Sequence, residues 1–596
     1  MPNAPVVVAV PPEGAARLAG LPLFAALPPS AIEGLAAEAE WLELPGGTVL
    51  FEEGDVSDGL YVVVQGRVRA TAGEGRVFAE MGRGEPVGEL GLLIDEPRSA
   101  TVQAIRDSLL LRLTTAAFER LVHEAPHAML PLARVVARRL VDSQAGRRST
   151  SPITAVAVVS LLPPAAHAEL LDGLLGRMRV TSKADVLRAG DLDDDASLAA
   201  TVDAEDAAEG VLLLDVGNEP SVWASRCLRQ ADRVILLAEA DAPVDLGPSA
   251  ALFDELDASG CHPTEELVLL HPSGRGLPRG TAAWLALRPF AGHHHLRRGR
   301  AADNARLARH LLGRSVGLVL GGGGAKGFAH IGAYRALLAA GTPIDLVGGS
   351  SAGAVMAAQI ALGWTPDEMQ EINRREWRGA RVDHRYTVPL VSLLSVRSAV
   401  PMFERMFGDA GLEDLWLPCF ATTVDLSTCE LTAQRRGPAT RWVRASASPP
   451  GIWPPVLDER GQLHVDGGVL DNLPVSFMRD SQVGRIATVN VSPYTVMAYD
   501  GVESVPTTPG AWLRALPRAR GPVALPNIVR ILHRTAVVTS LGVQARARAL
   551  SDLYVQPDLS AFGLGDYGVM DRIVALGQAE ATARIAELDP APATWV

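Results

Sequence analysis

Residues 316–327 read Val-Gly-Leu-Val-Leu-Gly-Gly-Gly-Gly-Ala-Lys-Gly, and residues 346–353, after an amphipathic segment, read Leu-Val-Gly-Gly-Ser-Ser-Ala-Gly. The apolar run Val316 to Leu320 is short, partly β-branched and closed by glycines, which predicts a buried parallel strand. Phe328 to Ala340 predicts a helix. Its start sets the amides of Gly322, Gly323, Gly324, Lys326 and Gly327 on a Gly-rich turn where N–H groups converge on an anion, the requirement of an oxyanion hole. Ile344 to Val347 predicts a second strand running into Gly349-Ser350-Ser351-Ala352-Gly353 and a helix from Ala354 to Leu362. That strand, sharp turn and helix form the context of a G-x-S-x-G nucleophile elbow, with Ser351 as candidate nucleophile. A serine hydroxyl needs a base. The candidate is Asp466 in Leu463-His464-Val465-Asp466-Gly467-Gly468, where a strand ends in a Gly-Gly turn.

Competing readings of the same residues fit less well. Gly322, Gly324 and Gly327 satisfy G-x-G-x-x-G, but Asp345 opens the second strand, whereas a dinucleotide site needs an acid closing it. Lys326-Gly327 inverts the Gly-Lys order of a phosphate-binding P-loop. Ser351 as a mere helix cap explains one motif and not three in order. His464, on the strand face of Asp466, and His330, in the first turn after the glycine loop, keep a serine-histidine triad open as an alternative.

The three pieces together resemble the patatin-like phospholipases, whose pattern is a G-G-G-x-[KR]-G loop, a G-x-S-x-G elbow and a D-G-[GA] turn. The resemblance implies a Ser-Asp dyad of Ser351 and Asp466, with Lys326 at the basic position of the loop. It further implies a serine esterase acting on acyl esters of phospholipids or lysophospholipids, with no cofactor required for catalysis.

At 596 residues the chain is long enough for about three to five domains. Its 48% hydrophobic and 21% charged residues fit a loop-punctuated globular α/β chain. A net charge of -13 opposes nucleic-acid binding. Cys227, Cys261, Cys419 and Cys429 lack C-x-x-C spacing, which indicates neither disulfide framework nor zinc site and fits a reducing compartment. No run approaches the roughly 20 apolar residues of a spanning helix, and residues 1–20 lack a basic flank with an apolar core. The expected location is cytoplasmic, with peripheral membrane contact.

After an N-terminal extension, residues 1–22, the segment 23–145 has the texture of a small β-roll followed by helix. Turns at Pro45-Gly46, Glu53-Gly54 and Gln65-Gly66 separate the strands Thr48 to Phe51, Leu60 to Val64 and Val68 to Thr71. Gly88-Glu89-Leu90-Gly91 and Pro97-Arg98-Ser99-Ala100 would present helix amides and a guanidinium to a phosphate, and a carboxylate to a ribose. These residues resemble the phosphate-binding cassette of cyclic-nucleotide-binding domains. The resemblance implies that Gly88, Glu89, Leu90, Arg98 and Ser99 hold cAMP or cGMP as a regulatory ligand, with a helix from Ala117 to Val141 closing over the base. A polar linker, 146–152, follows.

Residues 153–300 read as an α/β middle domain with strands Ala155 to Leu162, Val211 to Val216 and Val234 to Leu237. With Trp223 to Asp232 reading Trp-Ala-Ser-Arg-Cys-Leu-Arg-Gln-Ala-Asp, it resembles the middle portion of the neuropathy target esterase group of patatin-like proteins. His293-His294-His295 is expected to be a loop and no metal ligand set. Residues 301–596 complete the expected multidomain architecture as a C-terminal α/β patatin-like hydrolase with a C-terminal extension. There Ile486 to Val491 predicts a strand and Ile528 to Ala549 a long helix, whose arginines read as a solvated face. The alternative function is a cyclic-nucleotide-controlled lipid-binding or interaction scaffold with little turnover.

Overall fold

The computed structural model describes all residues except 1–4, 12, 26, 74–75, 125–128, 145–152, 193–194, 209, 275, 380–386, 389, 398, 493–507, 512–527, 592–593 and 596. The expected linker 146–152 lies outside the described residues. The chain divides into two units. The first comprises Met1–Ser273 with Ala283–Gly313, and the second Gly274–Ala282 with Arg314–Val596. Among the described residues no helix is long and apolar enough to cross a membrane.

The first unit opens with a β-roll. Strands β1 (Val6–Val8), β2 (Glu40–Leu44), β3 (Val49–Phe51), β4 (Gly59–Gln65), β5 (Val68–Ala72), β6 (Arg76–Met81), β7 (Pro86–Val87), β8 (Thr101–Ala104) and β9 (Ser108–Thr114) form two sheets, ordered β1-β2-β9-β4-β7 and β3-β8-β5-β6. β4 is apolar at nearly every position because both its faces are covered. Leu60, Val62 and Val64 enter one core with Trp41 and Phe24, while Tyr61 and Val63 enter a second with Leu44 and Val68. Two helices, Thr115–Glu124 and Met129–Gln144, replace the single helix expected over 117–141.

The middle domain is a six-stranded parallel sheet. Strands β10 (Ala155–Ser160), β11 (Ala184–Leu187), β12 (Val211–Gly217), β13 (Arg233–Glu239), β14 (Thr264–His271) and β15 (Gly292–Arg297) lie in the order β11-β12-β10-β13-β14-β15. Alternate residues of β10 feed opposite cores, Ala155, Ala157 and Val159 on one face and Val156 and Val158 on the other. The histidine run expected as a loop is the core of β15. Its alternation survives in polar residues: His295 meets His271 at 2.9 Å, and His294 is buried beside Glu266. The helix Ala301–Leu311 buries Leu307, Ala308 and Leu311 in the β10 core with the helix Pro164–Met178. We therefore place the end of the middle domain at Gly313, beyond the expected boundary at 300.

Roll and middle domain meet through buried charge. Asp232 accepts the backbone N–H of Thr154 at 2.8 Å and lies 3.3 Å from Arg67 and 3.4 Å from Arg106 of the roll, both 1% exposed.

The second unit is built on one mixed sheet. Strands β16 (Val316–Leu320), β17 (Leu346–Gly349), β18 (Cys419–Asp425), β19 (Glu430–Gln434), β20 (Val456–Leu457), β21 (Leu463–Asp466), β22 (Arg485–Val489) and β23 (Leu553–Val555) give the order β20-β21-β18-β17-β16-β22-β23, with β19 also on β18. β16, β17, β18, β22 and β23 pair in parallel, and β21 runs antiparallel to β18. Asp345 precedes β17 rather than opening it. Its carboxylate accepts the Val316 N–H at 2.9 Å, so the acid considered for a dinucleotide site holds the start of β16. The helix after the glycine loop, Ala329–Ala339, packs on the C-terminal helix Met570–Ala586 backbone to backbone. A Cβ on Gly332 would lie 1.9 Å from the Val574 carbonyl, and one on Gly577 would lie 2.1 Å from that of Ala329.

Candidate active site

Ser351 sits at the C-terminal end of β17, just before the helix Ala352–Ala361 and with no side-chain capping bond to it, at φ 55° and ψ −125°, a backbone that side-chain-bearing residues rarely adopt. The strain is held by packing on both sides. A Cβ on Gly349 would lie 2.4 Å from the Leu320 carbonyl oxygen and one on Gly353 only 1.9 Å from it, so both flanking positions must be glycine. The Ser351 N–H donates to the Ser446 hydroxyl at 3.0 Å, which fixes the elbow from below.

Asp466 ends β21. Register with β18, Thr423 opposite Asp466, brings it beside the strand that neighbours β17. Its carboxylate is buried and accepts the Gly468 N–H at 2.8 Å. Burial lifts its pKa to about 6, against hydrogen bonds from the Ser351 hydroxyl and the Gly468 N–H that pull it down. Neither histidine considered for a triad is turned to this pair. His330 Nε2 lies 2.7 Å from the Gly321 carbonyl, and burial pushes its pKa down to about 4. His464 Nδ1 is 3.2 Å from the Thr423 hydroxyl.

The glycine loop differs from expectation at two amides. The Gly322 N–H donates to Asn472 Oδ1 at 3.2 Å, and the Lys326 N–H donates to the Gly323 carbonyl at 3.2 Å, so both leave the set of oxyanion donors. Gly327 serves close approach instead: a Cβ there would lie 2.6 Å from the Ala352 Cβ. The N–H groups of Gly323 and Gly324 have no acceptor among the described residues, and neither has that of Ala352, the residue after Ser351. Ala352 was missed in the sequence, although the position after an elbow serine is a usual donor. Around Ser351 opens an apolar pocket lined by Gly324, Phe328, Val355, Met356, Trp377 and Tyr567. Trp377 and Tyr567 stack with ring centroids 4.7 Å apart.

In the roll, Gly88 precedes the short helix Glu89–Ile94, which carries Glu89 and Leu90, Arg98 and Ser99 follow it, and the charged members have partners. Arg98 donates to the carbonyls of Gly88 and Gly59 and to Asp58 at 2.6 Å, and its guanidinium lies over the Phe51 ring at 4.2 Å. Glu89 accepts from Arg139 of the helix Met129–Gln144 at 2.7 Å. Gly88 has φ 78°, and a Cβ there would lie 2.1 Å from Arg98 Nη1.

The middle domain gathers Glu266, His294 and His310 closely enough to hold a cation. Arg233 intrudes on that cluster, with Nη1 3.2 Å from Glu266 and 2.5 Å from His310 Nε2, so a guanidinium already neutralises the carboxylate.

A patatin-like phospholipase family model matches residues 318–478, the span from β16 to the helix after Asp466. Those residues are a patatin-like phospholipase domain. A cyclic nucleotide-binding domain model matches 41–125, and a Neuropathy Target Esterase family P-loop like domain model matches 202–314, through the helix Ala301–Leu311. Across 90% of the chain the sequence is 28% identical to the human patatin-like phospholipase domain-containing protein 6, of which the match covers 44%. It is 29% identical, again over 90% of the chain, to the Coccidioides immitis lysophospholipase NTE1, of which 40% is covered. The chain thus matches less than half the length of these relatives. The N-terminal domain of a Streptomyces coelicolor transcriptional regulator is 37% identical over 22% of this chain and 92% of its own, with a TM-score of 0.19. The patatin-like domain contains Ser351, Asp466 and the glycine loop, and the cyclic-nucleotide-binding domain contains the Arg98 pocket.

Proposed function

We propose that the patatin-like domain is a serine esterase that hydrolyses acyl esters of phospholipids or lysophospholipids through a Ser351-Asp466 dyad. The observation that carries this reading is the strained Ser351 elbow beside the buried Asp466 carboxylate, which the register of β21 on β18 brings to it. Asp466 takes the hydroxyl proton as Ser351 attacks the ester carbonyl, which leaves a tetrahedral oxyanion. The N–H groups of Gly323, Gly324 and Ala352 receive that charge, and removal of one such donor typically costs about a hundredfold or more in rate. The proton passes to the departing alcohol, and water activated by the same carboxylate releases the fatty acid. The apolar pocket accepts the acyl chain, which supports a lipid over a polar ester.

The roll binds a cyclic nucleotide, cAMP or cGMP, whose phosphate competes with Asp58 for Arg98 and whose ribose competes with Arg139 for Glu89. Its binding regulates the esterase, with the reciprocal coupling that this requires.

The test is fatty-acid release from a lysophosphatidylcholine panel, with fluorophosphonate labelling, by the wild type and Ser351→Ala, each with and without cAMP or cGMP. Loss of both turnover and labelling in Ser351→Ala is expected. Persistent labelling would put the nucleophile elsewhere, and no wild-type turnover would favour the scaffold. Unchanged kinetics at saturating nucleotide would reduce the roll to an interaction module.

A further inference from the structure

Asn472 has no role in the chemistry so far, yet it is the residue that joins the two halves of the site. It is buried on the loop that carries Asp466, and both ends of its carboxamide are spent on one glycine. Oδ1 accepts the Gly322 N–H at 3.2 Å, and Nδ2 donates to the Gly322 carbonyl at 3.1 Å. Space around it is closed. A Cβ on Gly322 would lie 2.4 Å from Asn472 Oδ1 and 2.7 Å from the Ser351 Cβ, and one on Gly468 would lie 2.8 Å from the same oxygen.

The carbonyl of Gly322 and the N–H of Gly323 belong to one peptide plane, and in a trans peptide they point in opposite directions. Whatever holds the carbonyl therefore aims the amide. We propose that Asn472 is the positioning residue of the oxyanion loop: by pinning the Gly322 carbonyl it turns the Gly323 N–H toward the substrate and keeps it there before the charge develops. The inference rests on the ester-hydrolase reading of Ser351. Only a carboxamide meets the demand, since the site needs one donor and one acceptor in a single plane. An aspartate would set a second acceptor against the Gly322 carbonyl and a negative charge near the oxyanion.

Asn472→Ala and Asn472→Asp in the full chain, with the wild type, test this by steady-state hydrolysis of lysophosphatidylcholine and by the rate of fluorophosphonate labelling. The expected result is a fall in kcat of about a hundredfold, with labelling slowed in parallel. KM should stay within about threefold in both, and the acid inflection of the rate profile should not move in Asn472→Ala, because binding pocket and base are untouched, while the added negative charge of Asn472→Asp should move it upward. A folded variant with kcat within about threefold of wild type overturns the proposal, as does a loss confined to KM or to the inflection. If Asn472→Ala does not fold, the nearly isosteric Asn472→Asp decides. Failure of both to fold would assign Asn472 to structure alone and also overturn it. A wild type that labels without turnover leaves the labelling rates as the test and places the fault in the substrate; a wild type that does neither removes the hydrolase reading and this one with it.

Discussion

In the proposed dyad, Asp466 serves catalysis at a cost to the fold. Its pKa of about 6 makes it the carboxylate needed to accept the Ser351 proton at neutral pH, so kcat/KM is expected to fall below pH 6 with a single acid inflection. The same shift acts on stability with the opposite sense. Since the folded pKa exceeds the usual value near 3.8, the folded state holds the proton more tightly, and stability declines as pH rises from about 4 through 6. Asp466→Asn removes the charge, so at pH 8 it should stabilise the protein by up to about 3 kcal/mol while abolishing turnover. Urea titration of both proteins at pH 8 and pH 4 checks this, the difference vanishing at the lower pH. The turns that carry Ser351, Asp466 and the glycine loop were legible because each is a short motif whose backbone demands glycine. The receiver of each amide was not: Gly322 meets Asn472 across 150 positions of sequence, and no local pattern announces that pairing.

Elements were legible where aliphatic periodicity was strong, as in β4, β10 and β16, and misread where polar residues fill buried positions. β15 is the case in point, since its histidines satisfy one another and Glu266 inside the sheet, and a pattern of aliphatic alternation cannot reveal them. The segment between β7 and β8, with the helix Glu89–Ile94, carries the second testable element. Gly88→Ala adds a Cβ onto Arg98 Nη1 at a positive φ, so it should abolish cAMP and cGMP binding by calorimetry while leaving basal ester hydrolysis unchanged. Retained affinity would mean that Arg98 is not the phosphate contact.

For the molecule as a whole, the sequence told three domains apart but not how they group. Charge decides that, because the roll and middle domain share the Arg67-Arg106-Asp232 cluster and belong to one unit. Asp232→Ala removes the carboxylate that the two buried guanidinium groups share, while Arg106 keeps Asp206 at 3.5 Å, and should destabilise the first unit by about 3 kcal/mol. In calorimetry of the full chain the transition of that unit should move down while that of the patatin-like domain stays in place. A joint shift would show that the two units unfold as one. The helix Ala301–Leu311 escaped the sequence reading for a related reason, since Leu307, Ala308 and Leu311 are assigned to the middle domain only by packing in its core. The close approach of Gly332 to the Val574 carbonyl, and of Gly577 to that of Ala329, has a genetic corollary. A stop codon ahead of Gly577 would spare every catalytic residue yet remove the strut against which the glycine loop's helix rests, so late nonsense alleles should score as nulls.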